Sequence, residues 1–246
     1  MNNGEQVIVL TDVIKLFPSE DAAKKFNVAL NGISLSIKQG SLTVIGGANG
    51  SGKSVLMHII SGLDDATDGS VQVASKPGLV FQDAATQLLG DTPREDVAIG
   101  PKNQKRTKKD IQKIVTDSLS AVSLLEKADY PAEFLSGGEK RRLAVASILA
   151  MKRDILIFDE PYANLDYPGI LEVNSLIRQL STEGKTILIL THELEKCLGM
   201  ADHFIILYKG KKVFDGIPND ALSLPLENWG IRNPLTRYET IEDLVW

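Results

Sequence analysis

The run Gly47-Ala48-Asn49-Gly50-Ser51-Gly52-Lys53-Ser54 satisfies the pattern G-x-x-x-x-G-K-[ST] at every fixed position. Glycines at those places let backbone N–H groups turn inward around phosphate oxygens, where a Cβ would clash or demand the wrong φ. A helix leaving the loop would add the partial positive charge of its N-terminus. Lys53 would neutralise β- and γ-phosphates, and the Ser54 hydroxyl would take one Mg²⁺ position. A second constellation is Asp159-Glu160, which closes the apolar run Ile155-Leu156-Ile157-Phe158. At a sheet rim beside a phosphate cradle, Asp159 would hold Mg²⁺ and Glu160 would polarise an attacking water as general base. A solvated strand exit is the plainer alternative. His192 follows another apolar run, Thr186 to Leu190, and would hydrogen-bond a γ-phosphate and orient the water. His58 and His203 have no such company and read as structural.

Leu135-Ser136-Gly137-Gly138-Glu139 forms a second turn of interest. Ser136 and Glu139 make a capping box, which by itself explains a helix start. Capping does not need Gly137 and Gly138, and each costs a helix up to ~1 kcal/mol relative to alanine. Two glycines there point to something that approaches the backbone closely, with an anion the natural candidate.

These groups must be positioned by a regular frame. Val7 to Leu10 and Ile33 to Ile37 read as short strands, and Leu42 to Ile45 as a β-branched strand running into Gly46-Gly47. Ser54 to Ser61 reads as a helix stopped by Gly62. Asp110 to Leu125 carries apolar residues at helical spacing, and Glu139 to Met151 is apolar on nearly every side. The runs 155–158 and 186–190 have the pattern of parallel strands covered on both faces, with 170–180 as crossover helix between them. Phe204 to Tyr208 and Lys212 to Phe214 flank a hairpin at Lys209-Gly210-Lys211. The segment from Pro218 to Trp246 reads as an appended, partly helical tail.

The 246 residues are 43% hydrophobic and 24% charged, enough to bury a core and to exclude a disordered chain. Cys197 is the only cysteine, so a disulfide framework is excluded. No apolar run approaches the roughly 20 residues of a membrane span, and the first residues lack the pattern of a signal peptide. The cytosol is the expected compartment. The 27 Lys+Arg against 32 Asp+Glu leave a charge of -5, which argues against a nucleic-acid partner. Lys102, Lys105, Arg106, Lys108 and Lys109 form one basic cluster, read as a solvated loop leading into a helix.

In order and wording, the cradle, the Leu-Ser-Gly-Gly-Glu turn and the acidic strand end at 155–161 resemble the ATP-binding cassette (ABC) ATPases, over residues 7 to about 218. The resemblance implies an α/β fold: a P-loop NTPase core with an N-terminal antiparallel β subdomain and an inserted α-helical subdomain at about 83–150. The ATPase domain would span 1–217 and a short extension 218–246. It implies ATP and Mg²⁺ as ligands, held by Gly47, Asn49, Gly50, Ser51, Gly52, Lys53 and Ser54. Two such domains would pack head to tail, so that Ser136, Gly137, Gly138 and Glu139 of one face the Lys53 of the other. Gln82 resembles the glutamine that links the Mg²⁺ and water site to the helical subdomain, though a polar residue at a strand end would read the same. Asp166 resembles the aspartate coupling the two sites, and Phe17 the aromatic that stacks on adenine. Base stacking of that kind is worth about 1–3 kcal/mol. Asn164 stands where the family has a small residue, and the family's proline after the aspartate is displaced to Pro168.

Gln87 to Thr92 and Glu95 to Pro101 are similar to the segment after that glutamine in energy-coupling factor (ECF) transporter ATPases; Thr191-His192-Glu193 and Ala201-Asp202-His203 are compatible. That resemblance implies uptake of a vitamin, cobalt or nickel. It also implies a second ATPase subunit, an integral membrane coupling subunit and a substrate-binding membrane subunit. The chain would sit peripherally on the inner face of the cell membrane. The rival within the fold is a soluble, non-transport ABC ATPase, for example in iron–sulfur assembly. A DNA-maintenance ATPase would split the head around a coiled coil, and no heptad run is present.

Overall fold

The structure, a computed structural model, describes residues 4–19, 25–237 and 239–241. The readings made for residues 1–3, 238 and 242–246 lie outside these. The chain opens with strands β1 (Gln6–Pro18) and β2 (Phe26–Lys38), then β3 (Leu42–Gly46) and helix α1 (Lys53–Ser61). Strands β4 (Asp68–Val73) and β5 (Gly78–Val80) follow. Next come helices α2 (Pro93–Asn103), α3 (Lys108–Ala121) and α4 (Gly137–Ala150). The remainder alternates: β6 (Ile155–Asp159), α5 (Tyr167–Thr182), β7 (Thr186–Thr191), β8 (His203–Tyr208), β9 (Lys211–Gly216) and the short α6 (Pro218–Ala221).

Two sheets result. One is antiparallel, in the order β2-β1-β4. The other runs β5-β6-β7-β3-β8-β9, parallel throughout except for the edge strand β9. The parallel strands are buried on both faces, as their continuous apolar runs predict. Alternation sorts their side chains into two cores. Leu156, Phe158, Ile187, Ile189 and Phe204 meet the helices α2 to α5 on one side. Ile155, Ile157, Leu188, Leu190 and Ile205 meet α1 and the antiparallel sheet on the other.

Several elements differ from the sequence reading. β1 and β2 are longer than expected, because irregularities at Leu10/Val13 and Lys15/Leu16 absorb residues that break the alternation. β4, mostly exposed and poor in apolar residues, gave no pattern to read. α2 starts at Pro93 on a Thr92 cap, Oγ1 accepting from Glu95 N at 3.3 Å, so Lys102 ends a helix rather than opening a loop. α3 stops at Ala121 rather than Leu125, where Ser123 turns left-handed at φ +56°.

The three helices α2, α3 and α4 pack on one another between β5 and β6 in sequence. Asp96, almost fully buried, binds this bundle to the preceding turn. Its Oδ1 accepts from Leu89 N (2.7 Å) and Gly90 N (3.0 Å), and its Oδ2 from Ser147 Oγ on α4 (2.5 Å).

Candidate nucleotide site

In a parallel sheet the carboxyl ends of neighbouring strands come out on one edge, and ligands bind in the crevice there. β3, β7 and β6 are such neighbours: Gly46 is level with Thr191, and Asp159 with Leu190. The phosphate-loop motif, the acid pair and His192 therefore emerge side by side from three separate stretches of sequence.

The loop itself tolerates only glycine at two of its positions. A Cβ on Gly52 would lie 2.8 Å from Leu30 Cδ2 and 2.9 Å from the Ala29 carbonyl, and φ there is +106°. A Cβ on Gly47 would fall 2.5 Å from the Leu207 carbonyl oxygen. Past Gly52 the chain enters α1, so free N–H groups of a helix start face the loop. A cleft of about 390 Å³ opens here, lined by Asn49 to Val55, Ala29, Gln82, Glu160 and His192.

Lys53 is buried, and its ammonium donates to the Gly47 carbonyl at 2.6 Å and the Ala48 carbonyl at 3.3 Å. Loss of solvent holds it below the ordinary lysine pKa, partly offset by the carboxylates of Glu160 and then Asp159. Asp159 is pushed above the usual carboxylate range, first by burial and then by Glu160, against the pull of Lys53 and His58. Its Oδ1 is buried with no hydrogen-bond partner. An orphaned anionic oxygen beside a phosphate loop fits a divalent cation, with the exposed Ser54 and Gln82 on the adjoining cleft wall.

Glu160 is held from three sides. Thr191 Oγ1 donates to Oε2 at 2.9 Å, His192 N donates to Oε2 at 3.3 Å, and His192 Nδ1 lies 2.9 Å from Oε1. The backbone at Glu160 is left-handed, φ +43°, a conformation that costs a non-glycine residue about 1–3 kcal/mol. Its N–H donates to the Leu190 carbonyl at 2.8 Å, which anchors the turn to β7.

The other sequence candidates lie elsewhere. Ser136 caps α4, accepting from Glu139 N at 3.2 Å, and Glu139 Oε2 accepts from Ser136 N at 2.9 Å, so the capping box is present. Lys127 Nζ, 2.5 Å from Oε1, holds the Glu139 carboxyl below its usual range. A Cβ on Gly137 or Gly138 would meet nothing within 4 Å among the described residues, so no contact there explains either glycine. Asp166 caps α5, accepting from Gly169 N at 3.0 Å. Phe17 stands exposed near the end of β1 with Lys15 Nζ 5.1 Å from its ring centre, and it does not line the cleft. His203 Nε2 is 2.7 Å from Asp215 Oδ1, and His58 lies in the last turn of α1; neither lines the cleft.

The roles of three residues escaped the sequence reading. Thr191, one residue past the apolar run 186–190, ends β7, and its hydroxyl is the donor to Glu160. Gln87 folds back on β5, donating to the Leu79 carbonyl (2.7 Å) and accepting from Phe81 N (3.2 Å), which fixes the root of the Gln82 loop. Arg141 is buried on α4 and donates to the carbonyls of Gln82, Pro161 and Ala163. Helical periodicity carried the signal for it, since Arg141, Ala144, Val145 and Ile148 form one stripe.

Comparison with known proteins agrees with this geometry. Residues 30–163 match the ABC transporter family, and the chain belongs to it. It is 39% identical over 226 residues to the energy-coupling factor transporter ATP-binding protein EcfA of Carboxydothermus hydrogenoformans, covering 85% of this chain and 83% of that one. The EcfA1 protein of Clostridium perfringens is 36% identical over 236 residues, covering 89% and 83%. Within the ABC transporters, the chain is thus one of the energy-coupling factor ATP-binding proteins. Among solved structures, cbiO1 of Clostridium perfringens, part of the transporter complex cbiONQ, superposes with a TM-score of 0.79 at 29% identity, covering 89% of this chain and 91% of that one. MJ1267, an ATP-binding cassette in its ADP conformation, shares the fold with a TM-score of 0.76 at 24% identity.

Proposed function

We propose that this ATP hydrolase powers an ECF-type importer as one of two ATPase subunits, and that its cleft holds the triphosphate while the Ser136–Glu139 turn of the other subunit closes over it. The observation that carries this reading is the convergence of Gln82, Glu160 and His192 on the phosphate loop in one cleft. The roles follow from the contacts. Lys53 leaves the Gly47 and Ala48 carbonyls for the phosphate oxygens, a better partner for a desolvated cation. Asp159, Ser54 and Gln82 would hold Mg²⁺, whose charge, when bound, offsets that of the phosphates. Glu160 acts as general base: Oε2 is occupied by the Thr191 hydroxyl and the His192 N–H, which leaves acceptor capacity on Oε1 for a water. His192 shares Oε1 through Nδ1 and so orients the carboxylate.

The two open glycines at 137 and 138 support the trans arrangement, because the approach that they permit has to come from outside the chain. No helix among the described residues is long and apolar enough to cross a membrane, so the solute path belongs to partner subunits. The proposed cargo is a vitamin or a transition-metal ion, the assembly includes an integral coupling subunit and a substrate-binding membrane subunit, and the chain sits on the cytoplasmic face. The test is to isolate the tagged chain from detergent-solubilised membranes. The expected complex contains hydrophobic membrane proteins and turns over ATP, and Glu160→Gln lowers turnover about 10²–10⁴-fold with ATP still bound. Recovery of an active chain with soluble partners alone would favour the non-transport rival.

A further inference from the structure

Arg141 is a buried cation that meets no carboxylate in hydrogen-bond range among the described residues. Its guanidinium donates instead to three backbone carbonyls on two separate loops: Nη1 to Pro161 O (2.5 Å) and Ala163 O (3.3 Å), Nη2 to Gln82 O (2.8 Å). Burial holds it below the ordinary arginine pKa, and the charge of Asp83 offsets this in part. A planar fork is the one side chain that bridges two loops in a fixed geometry, and backbone acceptors make the tie independent of which side chains those loops carry.

The positions of those loops give the tie its meaning. Gln82 leaves β5 at the cleft wall. Pro161 directly follows Glu160, whose left-handed backbone is strained and persists only where its surroundings over-determine it. Arg141 sits one helical turn past the Ser136 cap, on the end of α4 that carries the two open glycines. A single side chain therefore joins the start of α4 to both walls of the cleft.

We propose that Arg141 is a positioning residue that transmits the placement of α4 to Glu160 and Gln82, so that the hydrolytic geometry forms only when α4 is seated. This rests on the reading that Glu160 and Gln82 act on the nucleotide. It was not given by the charge pattern of Lys140-Arg141-Arg142, in which only the middle residue is buried.

The test is a kinetic double-mutant cycle in the complex isolated from membranes. Arg141→Met keeps the bulk and removes the donors. Its kcat falls about 10–100-fold, the scale of a misplaced catalytic group, while the dissociation constant of a fluorescent ATP analogue stays within about twofold. In a Gln82→Ala background the tie to the residue-82 carbonyl persists but has no glutamine side chain left to place, so the further loss from Arg141→Met is smaller than in the wild type, by about threefold or more. Arg141→Lys, able to reach one loop and not both, gives an intermediate kcat. Should Arg141→Met not fold, Arg141→Lys is carried through the same cycle. A folded variant with unchanged kcat, or fully additive losses, overturns the proposal. Failure of the underlying reading looks different: there Glu160→Gln itself retains full turnover.

Discussion

Lys53 Nζ lies 3.8 Å from Oε1 of Glu160, yet its hydrogen bonds go to the carbonyls of the phosphate loop. The ammonium thus lies between the phosphate loop and the carboxylate proposed as the base. The two charged groups are held a fixed distance apart by partners on three separate elements, which limits the reorganisation that the proposed hydrolysis would need.

Lys53→Met should lower ATP-analogue affinity about 10–100-fold, the worth of a charge-assisted hydrogen bond. It should not lower the melting temperature of the nucleotide-free chain near neutral pH. The folded pKa lies below the unfolded one, so the charged form opposes folding, fully so below the folded value. That penalty is relieved as pH rises toward the ordinary lysine value of 10.5. A marked loss of apo stability in the methionine variant would show that the charge is a structural tie instead.

Asp159 presents the reverse sign. Its folded pKa is raised, so the folded state holds the proton more tightly, and stability falls as pH climbs from the ordinary carboxylate value through the raised one. Above the raised value the ionised, unpartnered oxygen is a net cost. Asp159→Asn should raise the melting temperature at pH 7 by about 2–4 °C for each kcal/mol relieved. The gain should vanish toward pH 4, where the wild-type carboxyl is protonated too. Mg²⁺-dependent turnover should drop at least about tenfold. An equal gain at all pH values would assign it to packing rather than charge.

The parallel strands, the loop and both acids were legible because each rests on a local pattern. Continuous apolar runs mark strands buried on both faces, and the glycine spacing of 47–52 encodes a backbone shape directly. The exposed β4 and the start of α2 were not legible, since a half-polar strand and a helix led by Pro93-Arg94-Glu95-Asp96 lack a sustained apolar period. The contacts of Thr191 and Gln87 were missed for a different reason. Their partners, Glu160 and the Leu79 and Phe81 backbone, are fixed by strand pairing and turn geometry rather than by composition. The role of Asp166 as an α5 cap was likewise hidden behind its resemblance to a coupling aspartate.

Gly138→Ala separates helix capping from ligand approach. A Cβ meets nothing within the chain, and alanine is the better helix former by up to ~1 kcal/mol. The isolated chain should therefore melt at the same temperature or slightly higher. If the turn faces a triphosphate across a subunit interface, ATP turnover of the complex should still fall about tenfold or more, as a group is pushed out of hydrogen-bond range. A variant that is both stable and fully active would leave the glycines without a ligand to explain them.

Thr191→Val tests the hold on the catalytic base. Valine matches threonine in shape, and the site is fully buried, so the change removes the hydroxyl and little else. Thr191 Oγ1 both donates to Glu160 Oε2 and accepts from Glu193 N at 3.0 Å, so a buried carboxylate oxygen loses one of its two donors and a part-buried N–H loses its acceptor. A stability cost of about 1 kcal/mol follows, the net worth of a hydrogen bond, because Glu160 Oε2 keeps the His192 N–H. With one restraint gone, the Glu160 carboxylate can rotate away from the His192 side, and kcat should fall about tenfold with the ATP-analogue affinity unchanged. Thr191→Ser, which keeps the hydroxyl and drops only the methyl, should restore kcat but not all of the stability. If serine and valine lower turnover equally, the contribution of this residue is its packing, and the hydroxyl does not orient the base.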